Sequence, residues 1–287
     1  MPRIFRYLVM LVVAAVALIV LGGFVMGQQV DERLSRVYEV PVESIEIPAD
    51  QASIERGMHL VDTVLFCKEC HGDDLGGRLQ FNDPLTGRIA AKNLTSGAGG
   101  IGSDTSIKEW VLAIRHGVDE DGTPLIEMPS EAFYSLSDED LGAIIAYMQS
   151  VEPVDNELPE LRLGPFYQLS ILSSPNLIPA EVIDHFEARP PSPEPGATVA
   201  YGRYLATACR ICHGPALSGG PGAGAGLNLR AGGDLSEWTE QEFVTALRTG
   251  EIPRGDDLDP DLMPWERVGD LTDEELRAIW LYLQTLQ

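Results

Sequence analysis

The motif C-x-x-C-H occurs twice, as Cys67-Lys68-Glu69-Cys70-His71 and as Cys209-Arg210-Ile211-Cys212-His213. Two thiols at this spacing can bond to the two vinyl groups of one haem, and the adjacent histidine is then held against the iron. A thioredoxin-like redox pair would leave the histidine unexplained in both copies, and a zinc half-site would need two further ligands at a comparable spacing. We therefore expect two covalently bound haem c groups with His71 and His213 as proximal iron ligands.

The surroundings of the motif are repeated as well. Residues 49–151 and residues 196–287 contain the same features in the same order: an Arg/Gly pair, the motif, Asn-Leu, a helix ending at glycine or threonine-glycine, Met-Pro and an acidic helix start. Capping boxes predict helix starts at Ser106, Ser137, Thr239 and Thr272. No alternating strand pattern competes, so the sequence predicts an all-α protein with two tandem domains, domain 1 at residues 49–151 and domain 2 at residues 196–287. Residues 152–195 read as a proline-rich linker, semi-rigid at Pro190–Pro195, with an apolar middle that packs on a domain.

Met128 and Met263 occupy matching places in the two units, each followed by proline and each before the last capping box. Methionine is usually a core filler, and we assign that role to Met58 and Met148 in predicted helices. A paired Met-Pro in a predicted loop is poorly explained by packing, so we expect Met128 and Met263 to be the sixth iron ligands. A filled sixth position leaves no site for a substrate and is typical of an electron-transfer haem.

Other polar residues carry weaker signals. Arg115 and Arg248 match between the units, so they either neutralise haem propionates or lie at solvated helix ends. His59, before the first motif, is expected to be a core or surface residue rather than a ligand. His116 has a threonine as its counterpart, which favours a local hydrogen bond over a role in haem binding.

The N-terminus reads as a membrane anchor. Arg3 and Arg6 precede an uncharged apolar run from Leu8 to Met26, which as a helix spans about 28 Å. A cleaved signal peptide usually has a shorter apolar core and a small-residue cleavage site, which this run lacks. We expect a single-pass anchor at residues 1–27 and a stalk at residues 28–48, with the haem domains on the periplasmic side of the cytoplasmic membrane.

The net charge of −24 excludes nucleic acid as a partner and favours redox partner proteins with a basic docking face. Acidic residues precede both methionines. Those before Met128 are Asp119, Glu120, Asp121 and Glu127, and those before Met263, here called the domain-2 acidic loop, are Asp256, Asp257, Asp259 and Asp261. We expect docking near the methionine side of each haem.

The region from residue 49 to residue 287 resembles tandem class I c-type cytochrome domains. The stretches RHGVDEDGTPL and LSDEDLGAIIAYMQS are similar to the cytochrome c subunit of membrane-bound alcohol and gluconate dehydrogenases. The resemblance implies helical haem domains with His/Met ligation, attached outside the cytoplasmic membrane. This chain departs from that pattern in having two haem motifs rather than three, an N-terminal anchor, and Met128-Pro129-Ser130 in place of a methionine-proline-aromatic run.

Together these features predict a dihaem carrier that is not itself an enzyme. It would pass single electrons from a membrane or periplasmic donor to an acceptor such as a terminal oxidase, alone or within a dehydrogenase, quinol-oxidising or oxidase complex. The alternative is a dihaem cytochrome c peroxidase, which needs a vacant or displaceable sixth ligand. The matched methionines argue against it.

Overall fold

The computed structural model describes residues 3–174, 177–189, 191–220 and 226–287, and helices dominate it. The α-helices are α1 Arg3–Leu34, α2 Gln51–His59, α3 Cys67–His71, α4 Ile107–Val111, α5 Ser130–Phe133, α6 Asp138–Ser150, α7 Pro165–Ser173, α8 Val199–Leu205, α9 Arg210–His213, α10 Glu240–Thr249, α11 Trp265–Val268 and α12 Asp273–Leu283. Helices α2 and α4 continue as the π-helical turns Leu60–Val64 and Leu112–His116, and a 3₁₀ turn covers Pro179–Glu181.

The helix starts follow the capping signals in the sequence. Reciprocal capping boxes are present at Ser106/Glu109, Thr239/Glu242 and Thr272/Glu275. Ser137 also caps its helix, because its side chain accepts a hydrogen bond from the Asp140 amide, but the Asp140 carboxylate does not return to the cap. That carboxylate binds Arg56 instead, at 2.9 Å through each oxygen. Asp140 thus makes a tertiary ion pair with Arg56 instead of completing the capping box.

In both domains the helix before the haem motif crosses the last helix at a glycine. A Cβ on Gly57 of α2 would lie 2.0 Å from the Ala143 carbonyl oxygen of α6. A Cβ on Gly202 of α8 would lie 1.8 Å from the Ala278 carbonyl oxygen of α12. The backbones can approach this closely only without a side chain, which explains the repeated glycine. The two crossings contribute to one hydrophobic core cluster that contains residues of both domains.

The all-α prediction was incomplete, because domain 1 also carries an antiparallel sheet. Its strands are β1 Arg78–Asp83, β2 Gly87–Ala91 and β3 Arg162–Leu163, in the order β1-β2-β3. Strand β1 is exposed along almost its whole length and β3 has two residues, so no period-2 burial pattern marks them. The turn did leave a signal: Asp83 Oδ1 accepts from the amides of Leu85 and Thr86.

Helix α1 is apolar and exposed over its first part and packed at its end. Its most apolar 18-residue window has a mean hydropathy of 3.0 with none of it buried, so by length and composition it could cross a membrane, as an anchor or as a signal sequence. The helix continues to Leu34, beyond the expected end of the anchor, and Val30 packs with Tyr167 and Ile171 of α7 in a small second core.

The segments expected to be a stalk and a linker both lie against domain 1. In residues 35–48 the amide of Tyr38 donates to the Gly122 carbonyl and Ile45 is buried. In residues 152–195 the Val154 carbonyl accepts from Asn93 and helix α7 packs on α1. The predicted proline spacer begins at Pro190, which is outside the described residues.

Candidate functional site

The two C-x-x-C-H motifs lie on the short helices α3 and α9. Within each motif the cysteines are three residues apart and so share a face of the helical turn. Cys67 and Cys209 are half-buried and pack against the core, whereas Cys70 and Cys212 are exposed. All four are free cysteines, so each motif offers two thiols on one side and a histidine at the end of the same turn.

The electrostatics of the thiols do not suit a dithiol redox pair. Burial raises the pKa of Cys67 to about 12 and that of Cys209 to about 11, with the neighbouring cysteine adding to both shifts. Thiols with such pKa values stay protonated at neutral pH, whereas redox-active cysteines have lowered pKa values. Among the residues the structure describes, no group of three or more His, Cys, Asp or Glu side chains could hold a metal ion, which also disfavours a zinc site.

The two histidines are oriented in the same way. His71 Nδ1 donates to the Lys92 carbonyl at 2.8 Å, and His213 Nδ1 donates to the Leu227 carbonyl at 2.8 Å. Burial lowers the pKa of both imidazoles, and the hydrogen bond to the carbonyl opposes that shift. A neutral imidazole whose Nδ1 proton is held by a carbonyl presents Nε2 as a metal ligand.

A repeated loop after each motif positions these carbonyls. Leu75 and Leu217 are buried with left-handed φ angles of 59° and 55°, which is rare for so large a side chain. The Leu75 carbonyl accepts from Leu94 at 2.8 Å and the Leu217 carbonyl accepts from Leu229 at 2.9 Å, each next to the segment that binds the histidine. Strain of this kind persists where the surroundings enforce it. These two residues could have been recognised in the sequence, because a leucine stands four positions after the histidine of each motif.

Two further features are compatible with a bound haem. Gly226 lies so close to the His213 ring that a Cβ would be 2.5 Å from Nδ1, so the backbone itself forms the wall behind this imidazole. Trp110 of α4 has a buried Nε1 that finds no acceptor in the described part of the chain. An unpaired buried N–H is a donor for a polar group that the protein alone does not supply, such as a propionate.

Met128 and Met263 are half-buried and pack against the core. Each lies just before a short helix, α5 or α11, and its carbonyl accepts a hydrogen bond from the residue two positions later, at 2.7 Å and 2.6 Å. Although Cys70 is exposed as a residue, the protein around its thiol partly desolvates it and raises its pKa, and the charge of Glu127 raises the pKa further. The residue before Met128 therefore lies near the first motif.

The matched arginines fix the loops that follow the methionines. Arg115 Nη2 donates to the Leu136 carbonyl and to Asp138, both at 2.9 Å. Arg248 likewise contacts the Gly269 carbonyl and Asp273. Arg115 is fully buried, which rules out a solvated helix end. Each arginine therefore ties the end of one helix to the start of the last helix, with the Met-Pro segment between them.

A polar seam that the sequence did not predict lies between the domains. It is formed by Arg56, His59, Asp140, Tyr201, Tyr204 and Glu275. His59 Nε2 donates to Glu275 at 2.9 Å, and Tyr204 donates to Asp140 at 2.7 Å. His59 and Tyr204 occupy corresponding positions, and each reaches the third residue of the other domain's last helix. The sequence showed that the starts of the two last helices are repeated. It did not show that each of these helix starts binds a side chain of the other domain.

Comparison with known protein families gives one match in each of the two repeats. Residues 52–148 and 197–283 each match the family described as cytochrome c oxidase, cbb3-type, subunit III. The fructose dehydrogenase cytochrome subunit of Gluconobacter japonicus is 31% identical over 243 residues, covering 80% of this chain and 47% of that protein. A nicotinate dehydrogenase subunit of Pseudomonas putida is 29% identical over 220 residues, covering 72% of this chain and 17% of that protein. The chain thus spans about half the length of the first relative and a smaller part of the second.

Proposed function

This chain belongs to the family of cbb3-type cytochrome c oxidase subunit III, and we propose that it is a membrane-anchored dihaem cytochrome that carries single electrons outside the cytoplasm. Electron transfer by covalently bound haem c is the shared property of such cytochromes. The finer proposal concerns which residues hold the haems, how the chain is attached to the membrane, and what it exchanges electrons with.

We assign the first haem to Cys67 and Cys70, with His71 and Met128 as axial ligands. The second haem is assigned to Cys209, Cys212, His213 and Met263. The observation that carries this assignment is the duplicated imidazole geometry, in which Nδ1 of each histidine is bound by a backbone carbonyl at 2.8 Å. Bound haem c supplies reversible one-electron iron chemistry, and the protein contributes the ligands and the buried surroundings.

The partner is proposed from the relatives. Both are named as parts of dehydrogenases, so we propose that this chain accepts electrons from a dehydrogenase and passes them to a respiratory acceptor such as a terminal oxidase. It would act as the electron-transfer subunit and would not itself be catalytic. The exposed domain-2 acidic loop is the proposed docking site for a partner with a basic face.

The axial ligands are tested by Met263→Ala. If methionine sulfur binds iron, the oxidised protein shows a far-red charge-transfer band, and the variant loses one haem's share of it with a lower potential for that haem. Met58→Ala is the matched control, because Met58 lies on α2 with 43% exposure and should leave the band unchanged. A full band in Met263→Ala would show that another side chain is the ligand. Peroxide turnover by the wild type would favour the peroxidase alternative.

The anchor is tested on the mature protein. The chain should fractionate with membranes, resist extraction by salt, and retain residues before Gln28 on N-terminal sequencing. A mature chain beginning near Gln28 would identify the apolar helix as a cleaved signal and contradict the anchor.

A further inference from the structure

We propose that domain 1 makes a second contact with the membrane, through an apolar tip formed by Leu85, Phe166 and Leu169, which enters the headgroup region beside the end of the anchor. This inference rests on the proposed anchor. The three side chains are 65%, 62% and 56% exposed, which is unusual for residues held on a rigid part of the fold.

The tip is rigid because strand and helix termini are bonded together there. Leu85 is in the turn between β1 and β2, and its carbonyl accepts from the Phe166 amide of α7 at 3.0 Å. The Thr86 carbonyl accepts from the Gly164 amide at 2.9 Å, next to the pairing of Gly87 with Leu163 in the sheet. Phe166 and Leu169 are three residues apart on α7 and so share one face.

The position of the tip relative to the anchor follows from how α7 packs on α1. Gln168 lies beside Gly27, where a Cβ would be 4.0 Å from Gln168 Oε1. Further along both helices, Arg33 donates to the Ile171 carbonyl. The two helices therefore run in the same direction. Phe166, two residues before Gln168, lies about 3 Å nearer to the membrane, level with the last residues of the apolar run.

The burial of α1 agrees with this placement. Met26 and Gly27 are half-buried, whereas the residues of α1 before them are exposed. Protein therefore surrounds the helix at the point where its apolar run ends. A bilayer that covers the run up to Met26 must meet the tip, because the tip stands at the same height.

Charged residues beside the tip suit the headgroup layer. Arg88 and Arg162 are directly opposite each other on β2 and β3, so their side chains share a face. Arg88 Nε donates to the Glu160 carbonyl at 3.2 Å, and none of the salt bridges among the described residues includes Arg88 or Arg162. The one carboxylate in the turn, Asp83, accepts from the amides of Leu85 and Thr86. Two like charges side by side repel each other, and lipid phosphates would relieve that repulsion.

The contact would also place the first haem motif near the membrane. Gln80 of β1 donates to the Cys70 carbonyl at 2.7 Å, and Leu85 is five residues further along the same hairpin. Five residues of strand span about 17 Å at most.

The test is the accessibility of a nitroxide spin label in the full-length protein with both haems reduced, so that the low-spin iron is diamagnetic. The protein is placed in bilayer nanodiscs of phosphatidylethanolamine and phosphatidylglycerol, and relaxation of the label by oxygen, which enters lipid, is compared with relaxation by a water-soluble nickel chelate. Phe166→Cys is the test variant, and Phe24→Cys reports on the anchor. Phe186→Cys, 78% exposed on the segment between the domains, is the matched control. The four native cysteines carry haem in the proposed assignment, so the label attaches to the introduced cysteine. The haem absorption of each variant verifies that it folds.

We expect the label at Phe24→Cys to be relaxed by oxygen and protected from the nickel chelate, the label at Phe166→Cys to show the intermediate ratio of the headgroup region, and the label at Phe186→Cys to be relaxed by the chelate as in water. A membrane depth at position 24 but a water-like ratio at position 166 would overturn the tip and leave the anchor intact, with the apolar side chains then free for a protein partner. Equal ratios at positions 166 and 186 would also overturn it, since the contact would not be local. A water-like ratio at position 24 would overturn the anchor itself.

Discussion

Glu275→Gln probes the interdomain seam directly, because its carboxylate is buried and serves both domains. One oxygen accepts from Tyr201 at 3.1 Å and from His59 at 2.9 Å, and the other accepts from Thr272 in the capping box of α12. Arg56 adds a charge at 3.8 Å. The glutamine is nearly isosteric, so the substitution removes the charge while keeping the volume.

The magnitude follows from the pKa. Burial alone would raise the pKa of Glu275, but the hydrogen bonds from His59 and Thr272 outweigh burial and lower it from 4.5 to about 2. That difference corresponds to about 3 kcal/mol in favour of the charged carboxylate. Removing one partner of a buried ionic network is expected to destabilise a protein by a similar amount. We therefore expect Glu275→Gln to lower the free energy of unfolding by about 3 kcal/mol at neutral pH.

The assay is urea unfolding of the full-length holoprotein in detergent, followed by far-ultraviolet circular dichroism and by the Soret band. Glu242→Gln is the control, because Glu242 holds the same position in the capping box of α10, but its capping hydrogen bonds are exposed and it has no partner from the other domain among its hydrogen bonds. The urea midpoint should fall much further for Glu275→Gln than for Glu242→Gln. Equal shifts would mean that Glu275 is only a helix cap and that the seam adds no stability.

Three further outcomes are expected. Since the lowered pKa of Glu275 stabilises the fold above the unfolded pKa near 4.5, the difference between wild type and Glu275→Gln should shrink as the pH falls from about 4.5 towards 2 in acid titrations of the urea midpoint. Gly202→Ala should destabilise by at least about 2 kcal/mol, because α8 and α12 must separate, whereas Gly232→Ala, with nothing within 4 Å, should leave the urea midpoint unchanged. Changing the four aspartates of the domain-2 acidic loop to asparagine should slow electron transfer to a basic cytochrome at low salt and make the rate less dependent on salt, as measured by stopped flow. Identical dependence of the rate on salt in the variant and the wild type would show that the loop is not a docking site.

Local signals in the sequence predicted local structure well. The capping boxes at Ser106, Thr239 and Thr272 start helices as expected, because a cap depends on residues within one turn. The sheet was missed because its pairing depends on distant segments, with β3 more than seventy residues after β2 in the chain. The turn at Asp83 was readable, but β1 is exposed along almost its whole length, and the five residues of β2 alternate in burial only over the first four.

The candidate site residues could be proposed from the sequence because they are repeated, and their binding of haem stays a prediction. The motifs, the methionines and the arginines were singled out because each occurs twice, and the structure gives the arginines a role in fixing the loop after each methionine. The seam was not predictable, because its members differ between the units. His59 corresponds to Tyr204, and Arg56 corresponds to Tyr201. Because the residue types differ, comparing the two repeats does not show that all four bind the carboxylate of Asp140 or Glu275.

The seam also constrains how the two proposed haems exchange electrons. Arg267, on α11 after Met263, donates to Glu69 inside the first motif, and Ser135, after Met128, lies 3.3 Å from Thr207 just before the second motif. The methionine side of each domain is thus held against the haem motif of the other. The corresponding contacts of His59 with Glu275 and of Tyr204 with Asp140 favour one arrangement of the domains, because shifting either domain breaks both hydrogen bonds at once. Electrons would therefore pass between the two iron sites across a constant distance, and domain motion would not limit the rate.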